Sequence, residues 1–293
     1  MPSPRDLRRR IKSIKNTAQI TKAMQMVASS KMRKAQLSAL AGRPYASLMN
    51  EVLAEVMASA GDFTHPLMEQ REVKRRCIIV VSTDKGLCGA LNSTLTREVA
   101  KFDKNTTIFI TAGRKAAQFI ARTKRPLAAE FTYKDAPLFS EARAISRFAQ
   151  DLFLKGEVDQ VEVLYTKFIS TLTQKPERRP LLPLGEIKAL ESGVETPADS
   201  TEVSRRVPGE FLFEPGAAQV LGALLPHYLN FQLYQFLLEA KASEQSARMI
   251  AMKNATDNAE QLINDLTIEY NKMRQASITK ELLEIASAQM GMS

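Results

Sequence analysis

The sequence has no tryptophan, and only two cysteines and two histidines occur among its 293 residues. Cys77 and Cys88 supply neither a disulfide framework nor the ligand spacing of a zinc site. So few cysteines suit a reducing compartment. No apolar run reaches the roughly 20 residues that a membrane-spanning helix needs. We therefore expect neither a disulfide-stabilised scaffold nor a helix that crosses a bilayer.

Glycine and proline are absent from two long stretches, residues 5–41 and 227–290. An uninterrupted helix over the second stretch would be about 95 Å long at 1.5 Å per residue. A helix of that length needs a partner along its surface. The two ends of the chain therefore favour a shaft over a catalytic pocket.

Both stretches carry a heptad seam with alternating spacings of four and three. The seam of the first helix consists of Leu7, Ile11, Ile14, Ala18, Thr21, Gln25, Ala28, Met32 and Ala35. That of the last helix consists of Leu238, Ala242, Gln245, Met249, Met252, Thr256, Ala259, Ile263, Leu266, Tyr270, Met273 and Ser277. We predict that the two helices pair antiparallel; the alternative is that each packs on a separate body.

The region between the two helices alternates strand and helix patterns. Continuous apolar runs at 77–82 and 106–111 predict buried strands, and 158–168 predicts a longer one. Helical patterns cover 92–103, 113–122 and 141–154, and 171–209 reads as an edge strand followed by a connector. This alternation predicts a parallel or mixed α/β sheet. The expected division is an N-terminal helix over 1–60, a central α/β domain over 61–209 and a C-terminal helix over 210–293.

The turn between the first strand and its following helix, residues 82–92, contains Gly86 and Gly89. Phosphates often bind at such turns, but these glycines match neither nucleotide-binding fingerprint. We favour a structural turn with Asp84 as a cap; a nucleotide-binding α/β enzyme is the alternative. Cys88 in this turn lacks an evident histidine base, so no catalytic residue is predicted.

The carboxylates of the last helix admit two interpretations. Asp265, Glu269, Glu281 and Glu284 recur at helical spacings that can bind metals or transfer protons. Nearby Lys280 and Arg274 favour surface pairing instead, so no metal site is expected. The apolar stretch 282–290 at the end of this helix predicts that another protein encloses it.

The positive charge is concentrated at one end of the chain. Residues 1–44 carry eleven Lys and Arg and one acid, a net +10, whereas the rest of the chain totals −1. Such a helix predicts an acidic partner, such as a phosphate backbone, an anionic lipid surface or a carboxylate-rich protein; the alternative is that the charged face is simply solvated. A nucleic-acid-binding coiled coil therefore stays open at this point.

Three segments closely resemble the gamma subunit of F-type ATP synthases: residues 10–36, 83–92 and 228–284. The resemblance covers nearly the whole chain. It implies an α/β fold class in which the N- and C-terminal helices form a long antiparallel coiled coil beside a central Rossmann-like α/β domain.

The resemblance also implies a function and partners. The chain would be the central rotor shaft, which couples ion flow through the membrane c-ring to conformational change of the catalytic beta subunits. Its partners would be the ring of three alpha and three beta subunits, the epsilon subunit and the c-ring. No cofactor, nucleic acid or direct membrane insertion is expected. The protein would be a peripheral membrane protein on the cytoplasmic face of a bacterial plasma membrane.

Individual residues match contact positions of that family. Arg274 and Gln275 match positions that hydrogen-bond a catch loop of the beta subunit. Arg248 matches a further rotor–stator contact, and Met24 lies at the matching position of the first helix. Phe211 and Glu214 are the candidates for contact with the c-ring.

Overall fold

The computed structural model describes residues 3–59, 64–184, 213–214 and 216–290. It divides the chain into two compact units. The first consists of Met1–Ala28 with Arg248–Ser293, and the second of Ser29–Ala247. The two ends of the sequence thus belong to one unit, as pairing of the terminal helices requires.

The first unit is built from parts of two helices, α1 (Pro4–Ala41) and α6 (Ala217–Met290). The Ser3 hydroxyl accepts the Asp6 backbone N–H, and the Asp6 carboxylate accepts the Ser3 N–H. This reciprocal pair is a capping box, which satisfies backbone donors that the first turn of α1 leaves open.

The side chains that face inward in this unit follow the predicted seams. Leu7 and Ala28 of α1 and Met252, Thr256 and Leu266 of α6 are buried. The Thr21 and Thr256 hydroxyl oxygens lie 2.7 Å apart. Because an antiparallel register at this pair brings the start of α1 level with Met273, burial along α6 should end there.

Burial does end at that point. Met273 is partly buried, whereas every side chain that the structure describes beyond it is exposed, including Ser277. The predicted seam is therefore wrong at Ser277, because this residue is exposed and lies beyond the point at which the described part of α1, which begins at Pro4, is level with α6. The paired part of the coiled coil is shorter than the pattern in α6.

The second unit combines the rest of α1 and the first part of α6 with the central elements. These elements are α2 (Arg43–Ser59), a 3₁₀ turn (Pro66–Met68), β1 (Arg76–Val81), α3 (Leu91–Ala100), β2 (Thr107–Ala112), α4 (Arg114–Arg122), β3 (Leu127–Phe131), α5 (Phe139–Leu154), β4 (Gln160–Phe168) and β5 (Gln174–Leu182). The strand order is β3-β2-β1-β4-β5. Four strands are parallel, and β5 joins the edge antiparallel to β4. This is a doubly wound, mixed sheet, as predicted.

The sheet is covered on both faces. Along β1, Cys77, Ile79 and Val81 face a core shared with α2, α5 and α6, whereas Ile78 and Val80 face a smaller core with α3 and α4. A strand buried on both faces needs apolar residues at every position. This requirement explains the continuous run from which β1 was predicted.

Two elements differ from the sequence-based prediction. β3 was not predicted, because its residues are mostly exposed and lack the apolar run of a central strand. Helix α6 begins ten residues before His227 and passes through Gly222 and Pro226. Pro226 cannot donate to the Gly222 carbonyl. Even so, the neighbouring Leu225 and Tyr228 are buried in the larger core, and this packing outweighs the local preference.

The predicted division into three segments stays a prediction. Its boundaries, at 60/61 and 209/210, both lie outside the described residues, as does most of the connector predicted after the edge strand. The edge strand itself is β5. None of the described helices has the length and apolar character needed to span a membrane.

Candidate functional site

The candidate stator contacts of the first unit differ in accessibility. Met24 is partly buried on α1, beside the seam residues Thr21 and Gln25. Arg248 is 9% exposed and lies where α6 enters the unit. Arg274 and Gln275 are exposed and directly follow the last seam residue, Met273. The side chains of Arg274 and Gln275 are therefore accessible to another protein without any change in this structure.

Beyond Gln275, α6 presents apolar side chains to its surroundings. Ile278, Leu282, Leu283 and Ile285 are 48–64% exposed. Exposed apolar groups of this density mark an interaction surface. Of the carboxylates considered earlier, Glu281 accepts a hydrogen bond from Ser277, while the Glu284 side chain lies outside the description. The described residues contain no group of three potential metal ligands.

The candidates for contact with the c-ring lie just before α6. Phe211 is outside the described residues. Glu214 lines a shallow cavity of about 500 Å³ together with the first turns of α6, including Gln219, Leu224 and His227. Phe213 packs against the larger core. The core thus anchors the chain next to Glu214.

The turn after β1 is closed by its own side chains. The Asn92 amide donates to the Thr83 hydroxyl at 2.8 Å, and that hydroxyl donates to the Lys85 carbonyl at 2.7 Å. The Asp84 carboxylate accepts the backbone N–H of Arg114, the first residue of α4, at 3.0 Å. Asp84 therefore caps the neighbouring helix.

The two glycines of this turn are not equivalent. Gly89 has a φ of +59°, in the left-handed region that favours glycine, whereas a Cβ on Gly86 would meet open space. Leu87 also has a positive φ, +63°, and its side chain is 61% exposed. A left-handed leucine is strained, so the surrounding hydrogen bonds must hold the turn in this shape.

Cys88 and the two histidines of the chain, His65 and His227, have structural roles here. The Asn92 amide contacts the Cys88 sulfur at 3.2 Å, and Cys88 is 2% exposed. His65 accepts the Leu67 backbone N–H through Nδ1, and burial lowers its pKa. His227 Nε2 lies 2.7 Å from the Tyr45 hydroxyl, which joins α6 to α2. Each of these groups fixes local structure in the second unit.

Sequence reasoning missed a group of charged residues at the carboxyl edge of the sheet, which we call the charged clasp: Lys31, Asp135, Lys241 and Glu244. The Asp135 carboxylate lies 2.6 Å from Lys31 Nζ and 3.0 Å from Lys241 Nζ, and Lys241 lies 2.9 Å from Glu244. Hydrogen bonds from Lys31 lower the pKa of the Asp135 carboxyl, and those from Lys241 add to this effect. Only the short spacing of Lys241 and Glu244 on one helix hinted at any of these pairs.

Comparisons with known proteins agree with the architecture. A family model described as ATP synthase matches residues 3–291. The ATP synthase gamma chain of Opitutus terrae is 51% identical over 99% of this chain and 98% of its own length. That of Methylacidiphilum infernorum is 45% identical over the full length of both.

The chain belongs to the ATP synthase gamma chain family.

This membership confirms the resemblance found in the sequence. The chain is a gamma subunit of an ATP synthase, a non-catalytic peripheral subunit of an enzyme whose catalysis takes place on the beta subunits.

Solved structures match as well. A chain from the central stalk and c-ring of the Tetrahymena thermophila mitochondrial ATP synthase aligns with a TM-score of 0.59, at 26% identity, over 80% of this chain and 99% of that one. A chain from the Euglena gracilis mitochondrial enzyme aligns with a TM-score of 0.70, at 18% identity, over 99% and 94%. The second match bears on the fold alone, and it confirms the predicted combination of terminal helices and an α/β sheet.

Proposed function

We propose that the chain is the central rotor shaft of its ATP synthase. It couples ion flow through a membrane c-ring to sequential conformational change of catalytic beta subunits, and it works in reverse during hydrolysis. The observation that carries this proposal is the exposed end of α6, where every described side chain beyond Met273 is exposed and several are apolar. A helix end of this kind needs a surrounding protein surface.

The partners follow from this role. A ring of alpha and beta subunits encloses the paired helices and the exposed end of α6. The epsilon subunit and the c-ring bind the α/β unit, with Phe211 and Glu214 as contacts to the c-ring. The net charge of +10 on residues 1–44 favours carboxylate-rich partners around α1. The assembly lies on the cytoplasmic face of a bacterial plasma membrane.

Four residues are proposed as rotor–stator contacts: Met24, Arg248, Arg274 and Gln275. Arg274 is the strongest candidate, because an exposed guanidinium offers five donors to carboxylates or carbonyls of a stator loop. The matched control is Lys272, an exposed cation two residues earlier on the same helix.

The experiment reconstitutes the chain with alpha, beta, epsilon and c subunits and measures ATP hydrolysis and ATP-driven proton pumping. Arg274→Ala should lower hydrolysis at least ~10-fold, as expected for loss of a central interface arginine. Lys272→Ala should stay within about twofold. Equal effects of the two variants would refute the role of Arg274, and failure of the unmodified chain to enter the complex would refute the rotor function.

Glu214→Gln provides a separate test of the c-ring contact, with Glu157→Gln as an exposed acid of the same unit for comparison. We expect Glu214→Gln to reduce proton pumping while hydrolysis by the alpha–beta ring continues, since the proposed contacts with the alpha and beta subunits do not include Glu214. Unchanged pumping in both variants would remove Glu214 from the proposed interface.

A further inference from the structure

The charged clasp joins three separate elements of the second unit. Lys31 is on α1, Asp135 follows β3, and Lys241 and Glu244 are one turn apart on α6. Asp135 bridges the other two elements, because its Oδ2 contacts Lys31 and its Oδ1 contacts Lys241. One side chain of the α/β body therefore binds both helices that continue into the coiled coil.

The burial of the clasp is uneven. The Lys241 and Glu244 side chains are 5% and 4% exposed, whereas those of Lys31 and Asp135 are 46% and 53% exposed. Buried ion pairs add little net stability, since desolvation opposes their attraction. Their better-attested use is to specify one arrangement among several. The clasp is thus better suited to defining geometry than to holding the unit folded.

Further polar contacts bind the same stretch of α6 to the sheet. Ser243 donates to the Thr166 carbonyl at 2.9 Å, and the Glu239 carboxylate accepts the Phe168 N–H at 3.2 Å. Ser246 donates to the Thr171 carbonyl at 2.7 Å. The partners of α6 in these three bonds, Thr166, Phe168 and Thr171, belong to the end of β4 and the turn after it.

The clasp also reaches β1. Lys241 Nζ lies 5.4 Å from the centre of the Tyr133 ring, and the Tyr133 hydroxyl donates to the Ser82 carbonyl at 3.0 Å. Ser82 is the residue after β1. The central strands of the sheet are therefore connected to α6 through directional contacts.

A rod that transmits torque must resist turning about its own axis. Apolar packing is non-directional, so it opposes separation of a helix from a sheet more than small rotations. Hydrogen bonds weaken steeply when their angles change, and the pairs Lys31–Asp135 and Lys241–Glu244 are hydrogen-bonded as well as charged. Polar contacts at particular positions around the axes of α1 and α6 therefore resist rotation of these helices, which apolar packing resists only weakly.

We propose that the charged clasp fixes the rotational phase of α1 and α6 against the α/β sheet and thereby passes torque from this body to both helices. This inference rests on the proposed rotor function and names the residues that would make the body and the helices turn together. Lys31, Asp135, Lys241 and Glu244 are positioning residues that bind no nucleotide.

The test uses the reconstituted complex in vesicles that hold an opposing proton gradient, and it measures protons pumped per ATP hydrolysed. Asp135→Asn removes the charge that binds both helices. We expect hydrolysis within about twofold of the unmodified chain. The proton-to-ATP ratio should fall about threefold under load, because the loss of one partly exposed ion pair changes the equilibrium between the fixed and the rotated arrangement of the helices by about that factor. Lys31→Met should lower the ratio too, since it removes the α1 contact alone.

Controls separate coupling from stability. Glu98→Gln removes an exposed pair with Lys101 on α3 and should leave the ratio unchanged. The ratio is measured on vesicles washed free of unbound subunits and is compared at equal amounts of bound chain, because hydrolysis by a detached alpha–beta ring would lower the ratio without any change in the clasp. If Asp135→Asn fails to assemble, Lys31→Met, at an exposed side chain, decides the question alone.

An unchanged ratio in Lys31→Met, or in Asp135→Asn where it assembles, would overturn the clasp while leaving the rotor function intact. An unmodified chain that assembles without pumping would instead overturn the rotor function. The two failures are therefore distinguishable.

Discussion

Gly113, at the junction of β2 and α4, has no room for a side chain. Its φ is +106°, and an added Cβ would lie 2.2 Å from the Ser82 carbonyl oxygen. The Ser82 hydroxyl in turn donates to the Gly113 carbonyl and accepts the Ala116 N–H. The strands β1 and β2 are therefore brought together here by backbone contact that only glycine permits.

Gly113→Ala should reduce the free energy of unfolding by about 3 kcal/mol or more, because it combines backbone strain with overpacking against a main-chain atom. Gly222→Ala is the matched control, since its Cβ would meet nothing within 4 Å inside α6. That change should stabilise by up to about 1 kcal/mol. Chemical denaturation of both variants checks the difference, and a similar loss in each would contradict it.

Glu239 is a buried carboxyl that affects stability through pH. Burial raises its pKa from 4.5 to about 6, although the Phe168 N–H and the Tyr165 hydroxyl donate to it. Nearby Lys167 lowers the pKa, and Glu177 raises it. Because the folded chain binds this proton more tightly than the unfolded chain, the contribution of Glu239 to stability falls as pH rises from about 4.5 to 6.

Glu239→Gln should therefore stabilise the chain at pH 7.5 by about 1–2 kcal/mol, and by almost nothing at pH 4.5. The amide keeps an acceptor for the Phe168 N–H, so the geometry is preserved. Unfolding free energies of both proteins across this range test the prediction. A stabilisation that is the same at both pH values would show that Glu239 is not the titrating group.

At the scale of elements, helix α6 changes at Met273 from a helix with a buried face to one whose described side chains are all exposed. Leu266 is 8% exposed within the coiled coil, whereas Leu282 is 62% exposed beyond it. The same residue type on one helix thus serves internal packing in the first case and an external surface in the second.

Leu266→Ala should lower the stability of the first unit by about 2–3 kcal/mol, because it removes a buried side chain and leaves a cavity. Leu282→Ala should change stability by less than about 0.5 kcal/mol, and it should weaken binding to the ring of alpha and beta subunits. Thermal unfolding followed by circular dichroism and a co-purification assay measure the two effects. Equal destabilisation by both changes would argue against the end of pairing at Met273.

The elements that were predictable have strong local patterns. β1 and β2 are largely apolar runs because both sheet faces are covered, β4 is a long strand pattern that includes Glu162 and Lys167, and the seam residues recur at heptad spacing. β3 could not be predicted, since its pairing with β2 decides its conformation and its own residues are mostly exposed. The first ten residues of α6 were not predicted, because Gly222 and Pro226 indicate a break in the helix. The burial of Leu225 and Tyr228, which stabilises the helix there, depends on tertiary packing that the local sequence does not show.

The contact candidates were found by resemblance, whereas the clasp was not found at all. Lys31 and Asp135 are 104 residues apart, and Asp135 lies in a loop without periodicity. No short-range pattern links such residues. Only the fold brings them to one edge of the sheet.

At the scale of the whole molecule, charge is distributed unequally. Residues 1–44 carry +10, and the remaining residues total −1. Lys12, Lys15 and Lys22 are exposed on α1. A concentrated charge of this kind accelerates association with an acidic partner at low ionic strength.

Association of the chain with the ring of alpha and beta subunits should therefore slow as salt rises from about 0.05 to 0.5 M, because the Debye length falls from roughly 14 Å to roughly 4 Å and long-range attraction is screened. Changing Lys12, Lys15 and Lys22 together to Gln should flatten this dependence. Changing the exposed Lys74, Lys104 and Lys155 to Gln should preserve it. Stopped-flow association rates test both triple variants, and equal salt slopes would contradict the proposed steering.

The antiparallel pairing of the two chain ends has a consequence for biosynthesis. α1 leaves the ribosome first, but its partner, residues 248–290, is translated last. At roughly 5–20 residues per second, α1 waits on the order of 10–50 s for that partner. Small and polar seam residues such as Ala18, Thr21 and Gln25 expose little apolar surface during this interval. A leucine-rich seam would pair more tightly once complete, but it would leave the nascent chain prone to aggregation.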